Sequence, residues 1–261
     1  MKQRLGHLAQ AVGCIALIGG CNPEPIGPNQ EQFTLTSAHT NTDYAIYVAY
    51  PDGYQEDQAY HTVYLLDGDD YSREAAALLE THTDVVMVGI GYAGQNERGR
   101  DYAYPADPTF PNQSGGAREF ARFLNEELIP HVETTLRVRP TDRALFGHSL
   151  GGYFSLYMLY QQEQPNPFQY HMAASPNLMW HDYYLLELEA AFAESDPSPI
   201  QSLYISMGDL EGVALNLSFD AFRSHLAGRQ YANRTIWERL ENTSHRNSPI
   251  ASLQSALETL Y

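Results

Sequence analysis

A serine between two glycines is the strongest chemical signal in the chain. Residues 143–152 read RALFGHSLGG, which contains a Gly-x-Ser-x-Gly pattern centred on Ser149. Apolar residues typical of a strand precede the pattern and residues 153–160 are typical of a helix, so it predicts a nucleophile elbow. The serine backbone is strained at such a turn, and we expect Gly147 and Gly151 to leave room for the neighbouring strand and helix. A serine exposed in this way can attack a carbonyl carbon.

A serine hydroxyl is a poor nucleophile until a base accepts its proton. In sites with this kind of elbow, the acid and then the histidine follow the serine along the chain. Four histidines come after Ser149: His171, His181, His225 and His245. The first lies in a predicted strand, and the next two lie in predicted helices. His245 lies in a polar loop after the last predicted strand, where its side chain can reach back to the serine, and we predict that it is the base.

Two carboxylates could orient this histidine. Asp209 and Glu211 both follow the predicted strand 200–207; they lie one and three residues after Gly208. Glu211 has the reach to turn inward, whereas Asp209 could instead bond its own backbone in the turn. We favour Glu211 as the acid and keep Asp209 as the alternative.

Attack on an ester produces an oxyanion, which two backbone N–H groups must stabilise. We predict that one belongs to Leu150, directly after the serine, and the other to Asp69, after the predicted strand 63–66. Gly68 allows this loop to approach closely, provided that the Asp69 carboxylate points away. The alternative is that residues 67–70 form an acidic turn with a helix start, or a weak cation site.

The long segment 91–116 is rich in Gly, Pro, Asn and Tyr and has no clear periodicity. A loop of this length is usually functional, so we expect it at the rim of a pocket. Four side chains, from this loop and elsewhere, are candidate substrate contacts: Arg100, Tyr102, His148 and Trp180. The alternative for Arg100 is a simple ion pair with Asp101 in a solvated loop.

The elements that must position these groups form an α/β pattern. Predicted strands alternate with predicted helices from residue 61 onward, which favours a mostly parallel sheet with helices on both faces. Residues 33–36 and 44–50 predict an antiparallel pair at the amino-terminal edge of the sheet. We find no internal repeat, and we predict one domain over residues 33–261.

The first 20 residues are predicted to be a signal peptide. Lys2 and Arg4 precede an apolar run over residues 9–18, and small residues lead to Cys21. This resembles a bacterial lipoprotein signal, in which Cys21 would be lipidated and residues 21–32 would form a tether. We therefore expect export and lipid anchoring in the bacterial cell envelope, in the periplasm or at the outer membrane. The alternatives are an ordinary secretory signal or a short anchor.

The charge balance excludes one class of partner. The chain has 15 basic and 32 acidic residues, a formal net charge of −17. Removal of Lys2 and Arg4 with the leader leaves 13 against 32, or −19. Such a surface repels nucleic acid, so we predict no nucleic-acid partner. The proposed chemistry requires no metal and no organic cofactor.

The ordered motifs resemble those of the putative esterase family, a branch of the α/β-hydrolases that includes esterase D, feruloyl esterases, mycolyltransferases and siderophore esterases. The resemblance rests on six stretches: YLLDG at 64–68, GGA at 115–117 with ELIP at 127–130, FGHSLGG at 146–152, SPN at 175–177 with Trp180, GDLE at 208–211, and His245. It implies the α/β-hydrolase fold.

The resemblance also implies roles for the site residues. Ser149 would be the nucleophile, His245 the base, and Leu150 and Asp69 the oxyanion donors, with an acid at the position of Glu211. Residues 100–102 and the Ser-Pro-x-x-x-Trp loop look most like the siderophore trilactone esterases.

These observations predict a serine carboxylic-ester hydrolase that works through an acyl-enzyme on a small-molecule ester, such as a siderophore lactone or an aryl or acyl ester. Two alternatives remain open. An acyltransferase of the same fold would resolve the acyl-enzyme with an acceptor alcohol, and a non-catalytic surface lipoprotein would only bind its ligand.

Overall fold

A computed structural model of the chain describes residues 29–111, 113–195, 201–229 and 231–261. The predicted leader, Cys21 and residues 22–28 of the predicted tether lie outside these residues. The strands in the described ranges are β1 Gln30–Thr36, β2 Asp43–Ala49, β3 Tyr60–Leu66, β4 Val85–Tyr92, β5 Val138–His148, β6 Tyr170–Ala174, β7 Ser202–Gly208 and β8 Thr235–Leu240.

The described strands form one eight-stranded sheet in the order β1-β2-β4-β3-β5-β6-β7-β8. The β1/β2 and β2/β4 pairs are antiparallel, and the remaining pairs are parallel. The mostly parallel sheet with an antiparallel edge is therefore confirmed. Parallel strands are apolar on both faces because helices cover both, and every residue of β4 is accordingly buried.

The α-helices in the described ranges are α1 Gly68–Ala77, α2 Arg98–Asp101, α3 Ala117–Arg122, α4 Ile129–Thr135, α5 Leu150–Tyr160, α6 Trp180–Glu194, α7 Val213–Ala227 and α8 Ser248–Leu260. A 3₁₀ turn, Leu78–Glu80, extends α1, and a π-helical segment, Phe123–Leu128, joins α3 to α4. Within the described part of the chain, no helix has the length and apolar character needed to span a membrane.

The helices enclose two separate apolar cores, one on each face of the sheet. On one face the 3₁₀ turn after α1 contributes Leu79, and α8 contributes Leu253 and Leu257. On the other face α3, α5, α6 and α7 contribute larger side chains, among them Phe154 and Phe219. The sheet is thus held between two layers, and the carboxyl ends of its parallel strands meet at one edge, where ligands bind in open α/β sheets.

Several elements differ from the sequence prediction, and β1 begins at Gln30, inside the predicted tether, instead of at Phe33. The segment 91–116 contains the short helix α2, and α7 begins at Val213 instead of Ser218. The first turns of α7 were missed because Val213 and Leu217 are 76% and 64% exposed, so their apolar side chains do not follow the buried face of the helix.

Candidate active site

Ser149 lies at a strained turn between β5 and α5. Its backbone angles are φ 58° and ψ −114°, a region that non-glycine residues rarely occupy. Its N–H donates to the carbonyl oxygen of Ala174 at 3.0 Å, and its own carbonyl oxygen accepts from the Asn177 N–H at 2.9 Å. The end of β6 and the loop after it therefore hold the strained backbone in place.

The glycines around the serine have different steric roles. A Cβ on Gly147 would lie 2.2 Å from the Gly151 carbonyl oxygen, which confirms that position 147 must lack a side chain. The same expectation for Gly151 was wrong, because a Cβ there would make only ordinary contacts, the nearest at 3.4 Å to Asp67 Oδ2. The tighter second position is Gly152, where a Cβ would lie 3.0 Å from the Ala174 carbonyl oxygen.

A chain of hydrogen bonds joins Ser149, His245 and Glu211. His245 Nε2 lies 3.0 Å from Ser149 Oγ, and His245 Nδ1 lies 2.7 Å from Glu211 Oε2. Because the carboxylate accepts the Nδ1 proton, Nε2 keeps a lone pair directed at the serine hydroxyl. This is the geometry that a histidine needs in order to accept the serine proton.

Glu211 is held by neutral donors as well as by the histidine. Its Oε1 accepts from the Gly208 N–H at 2.9 Å and from the hydroxyl of Ser175, while Ser248 Oγ lies 2.9 Å from Ser175 Oγ. Burial by itself would raise the pKa of Glu211, but the hydrogen bonds from His245, Ser175 and Gly208 outweigh it and lower the pKa. Glu211 is therefore ionised at neutral pH. Sequence reasoning noticed the Ser-Pro-Asn motif but missed the contact of Ser175 with the acid.

Asp209 occupies a different place in the same turn. It is exposed, and its Oδ1 accepts from the Thr243 N–H at 3.1 Å. A Cβ on Gly208 would lie 2.1 Å from the Thr243 carbonyl oxygen, so the turn and the loop that carries the histidine pack backbone against backbone. The geometry therefore favours Glu211 over Asp209 as the partner of His245.

The two predicted oxyanion donors both lie at helix starts. Leu150 is the first residue of α5 and Asp69 is the second residue of α1. The first N–H groups of a helix have no acceptor within the helix, and the positive end of its dipole favours an anion. The Asp69 carboxylate accepts from Asn96, whose Nδ2 lies 3.4 Å from Oδ2, and it also contacts its own backbone N–H. Asn96 belongs to the segment 91–116, which follows β4.

His148 contacts His245, so its predicted role as a substrate contact is revised. It is 6% exposed, and its ring centroid lies 4.5 Å from that of His245. Its Nδ1 lies 3.4 Å from the hydroxyl of Tyr71. Burial, followed by the nearby His245, lowers the pKa of His148 to about 3, so this ring stays neutral beside the histidine that must gain a proton.

Two of the predicted rim contacts were wrong. Tyr102 is fully buried among Phe120 and Phe154, so it cannot meet a substrate. Arg100 donates to Asp101 Oδ1 and to Thr42 Oγ1 at the turn between β1 and β2. It lines a crevice with His39, Thr40 and Glu119, and Ser149 is not among the residues that line it. The ion pair that was the alternative for Arg100 is what the structure shows.

Trp180 remains a predicted substrate contact. Its indole N–H donates to the Pro105 carbonyl oxygen at 3.2 Å, and its ring packs edge-on against Tyr153. It is partly exposed as the first residue of α6. The loop just before it contains Asn177, whose N–H bonds the Ser149 carbonyl oxygen.

The other histidines after the serine serve different contacts. His171 is buried in β6 near Ser155 and Asn166, and His225 pairs with Glu189. His181 is exposed at the start of α6. Across the described ranges, no group of three or more His, Cys, Asp or Glu side chains has the geometry to hold a metal ion.

The chain supplies its serine after β5, its carboxylate after β7 and its histidine after β8, which is the order of the α/β-hydrolases. Comparisons with known proteins give the same fold. A crystal structure of a BES protein from Bacillus cereus superposes with a TM-score of 0.78 at 24% identity, covering 90% of this chain and 96% of that one.

Two relatives are similar in sequence. Ferri-bacillibactin esterase BesA of Bacillus subtilis is 29% identical over 209 residues, 70% of this chain and 71% of that protein. A siderophore triacetylfusarinine C esterase of Aspergillus fumigatus is 28% identical over 215 residues, covering 74% and 72% of the two chains. The model of the family described as "Putative esterase" matches residues 37–246. The chain belongs to this family, and it is a serine esterase.

Proposed function

We propose that Ser149, His245 and Glu211 are the catalytic residues of this esterase. Ser149 Oγ attacks the ester carbonyl carbon while His245 Nε2 accepts its proton, and Glu211 stabilises the imidazolium that forms. His245 then protonates the leaving alcohol, and water hydrolyses the acyl-serine by the same proton transfers. The observation that carries this assignment is the hydrogen-bond chain from Ser149 Oγ through the imidazole to Glu211.

The N–H groups of Leu150 and Asp69 are proposed to bind the oxyanion of the tetrahedral intermediate. Both belong to helix starts, and the two helices begin after the adjacent strands β5 and β3. Donors placed in this way before the reaction need no reorganisation when the charge develops, which is why such groups contribute strongly to rate.

The proposed substrate is a siderophore that contains ester or lactone bonds. Support comes from the named activities of the two relatives, which are esterases of ferri-bacillibactin and of triacetylfusarinine C. These names also favour hydrolysis over acyl transfer to an alcohol. Aryl and simple acyl esters are a second group of candidates, because an acyl-serine forms from any accessible ester carbonyl.

The test is hydrolysis of siderophore lactones and p-nitrophenyl esters by the wild type and by Ser149→Ala. We expect the substitution to lower kcat on the order of 10⁶-fold and to abolish labelling by a fluorophosphonate. Ser224→Ala on α7, whose hydroxyl bonds the Asp220 carbonyl oxygen, is the control and should retain full activity. Turnover by Ser149→Ala would reject the nucleophile. Hydrolysis of the p-nitrophenyl esters with no hydrolysis of any siderophore lactone would reject the siderophore.

We further propose that the protein is lipid-anchored at Cys21 in the bacterial envelope. The support is the order of charged, apolar and small residues that precedes this cysteine. Expression of the full chain with a radiolabelled fatty acid should label the wild type and leave Cys21→Ser unlabelled. Equal labelling of both proteins, or of neither, would refute the anchor.

A further inference from the structure

The short helix α2 carries two arginines, and each pairs with a buried aspartate. Arg98 binds Asp67 through two bonds, Nε to Oδ1 at 2.8 Å and Nη2 to Oδ2 at 3.1 Å. Arg100 binds Asp101 Oδ1 through Nε at 2.7 Å. Asp101 belongs to α2 itself, whereas Asp67 directly precedes the loop that contributes Asp69 to the oxyanion site.

Asp67 has a conformation that must be held. Its φ of 55° and ψ of 44° lie in the left-handed region, which most residues with a side chain avoid and which aspartate tolerates better than most. Its carbonyl oxygen accepts from the N–H groups of Asp70 and Tyr71 and so starts α1. Its own N–H donates to the hydroxyl of Tyr102 at 3.2 Å. The backbone angles of Asp67 therefore set the direction of the N–H groups that follow it.

β4 packs against residues 68 and 69 and restricts their position. A Cβ on Gly68 would lie 2.6 Å from the Gly89 carbonyl carbon, and a Cβ on Gly91 would lie 2.7 Å from the Asp69 nitrogen. Backbone therefore meets backbone there, and the loop cannot move toward the sheet. Arg98 in α2 and Tyr102 directly after it add a second restraint on this turn, because both bond Asp67.

The carboxylate of Asp67 also lies close to the elbow. Its Oδ2 is 3.4 Å from the position that a Cβ on Gly151 would take, and its side chain is 2% exposed. A negative charge buried this close to the elbow would oppose the oxyanion unless a cation neutralised it. The Arg98 guanidinium, which also lies 5.5 Å from the ring centroid of Tyr102, supplies that cation.

We propose that Arg98 is a positioning residue of the oxyanion site: it holds Asp67 in its left-handed conformation, so that the Asp69 N–H faces the oxyanion, and it neutralises the Asp67 carboxylate. This inference rests on the proposed function of Asp69. It also gives Tyr102 a structural role in place of the predicted substrate contact.

The test compares Arg98→Met with the matched variant Arg100→Met on the same helix, using p-nitrophenyl butyrate as substrate. We expect Arg98→Met to lower kcat about 100-fold with KM changed less than threefold, since the loss of one oxyanion donor has an effect of this size. The Ki of phenylboronic acid, which forms a tetrahedral adduct with the serine, should rise by at least tenfold. Arg100→Met should keep kcat and Ki within threefold of the wild type.

Two more variants separate this role from a loss of folding. Arg98→Lys, which keeps the charge but not the two-pronged geometry, should recover part of the lost kcat. Asp67→Asn combined with Arg98→Met removes the uncompensated charge and should exceed the kcat of Arg98→Met at least fivefold. Equal kcat and Ki in Arg98→Met and Arg100→Met would overturn the inference. If Ser149→Ala is inactive in the same assays, the proposed function would stand. Activity in Ser149→Ala would instead overturn the proposed function.

Discussion

Two buried glutamates in this protein pair with a histidine, and one of the two pairs belongs to the hydrogen-bond chain that reaches Ser149. The side chains of Glu211 and Glu189 are both fully buried, and each carboxylate lies within hydrogen-bond distance of an imidazole, that of His245 or that of His225. In the pair Glu211–His245, the ring nitrogen of His245 that does not face the carboxylate lies within hydrogen-bond distance of Ser149 Oγ. The other pair joins α6 to α7, where the carboxylate also accepts from Arg229 and Tyr231.

The other partners of the carboxylates explain the difference. Glu189 has a permanent cation, Arg229, on its two oxygens, so its charge is compensated whether or not His225 is protonated. Among the described residues, Glu211 has His245 as its one basic side chain within 4.0 Å. Its charge is therefore left to stabilise the imidazolium that forms when the serine loses its proton. In this protein the carboxylate proposed to be catalytic is held by His245 and neutral donors, and the carboxylate that joins α6 to α7 is held by an arginine as well.

The largest difference between the two pairs is expected from the histidines. His245→Gln should lower kcat on the order of 10⁵–10⁶-fold, because the base is lost. His225→Gln should leave kcat within twofold and lower only the Tm. Steady-state kinetics and thermal unfolding of the two variants provide the measurement. A comparable loss of kcat in both would contradict the division into a catalytic and a structural pair.

The second largest difference in kcat is expected between substitutions of the two glutamates. Glu211→Gln is expected to lower kcat about 10³–10⁴-fold, since the amide cannot stabilise the imidazolium and favours the wrong tautomer of His245. Glu189→Gln should keep kcat within twofold. Asp209→Ala is the control for the turn, and we expect kcat within threefold. A larger effect from Asp209 than from Glu211 would reassign the acid.

Glu189 should instead affect stability, in a pH-dependent manner. Burial alone would raise the pKa of Glu189, but hydrogen bonds from Arg229, Tyr231 and His225 outweigh it and lower the pKa. A carboxylate with a lowered folded pKa stabilises the fold above its unfolded pKa, and this contribution disappears as the pH falls through the folded pKa. Glu189→Gln should therefore lower the unfolding free energy by about 2 kcal/mol at pH 7.

That difference between the wild type and Glu189→Gln should shrink progressively as the pH falls below about 4.5. Urea unfolding at several pH values provides the measurement. A difference that stays constant with pH would show that the charge of Glu189 does not contribute.

The smallest effect tests the neutral donors of Glu211. Ser175→Ala removes one hydrogen bond to the carboxylate, and we expect kcat to fall about tenfold, the equivalent of one hydrogen bond to a charged group. KM should change less than twofold because Ser175 bonds Glu211 and is itself buried. The control is Ser252→Ala, which removes a buried hydroxyl bonded to Ser206. Equal kcat in both variants would remove Ser175 from the support of the acid.

Much of the fold could be predicted from local patterns. The strand at residues 235–240 and the last helix, from about Ser248 to Leu260, match the structure, because short apolar runs and a proline at the helix start are local signals. The start of α7 could not be predicted, since an exposed apolar residue such as Val213 carries no information about which face is buried. The antiparallel edge was predicted from the polar turn between its two strands.

The amino-acid sequence by itself determined the elbow and the order of the reacting groups, because a Gly-x-Ser-x-Gly turn and the succession of serine, acid and histidine are properties of the chain. Only the tertiary structure decided which carboxylate meets His245 and which arginine meets Asp67. Glu211 and Asp209 lie two residues apart, as do Arg98 and Arg100. Spacing alone does not tell which side chain of such a pair points inward. The packing of distant backbone decides it, as where Gly208 lies against Thr243.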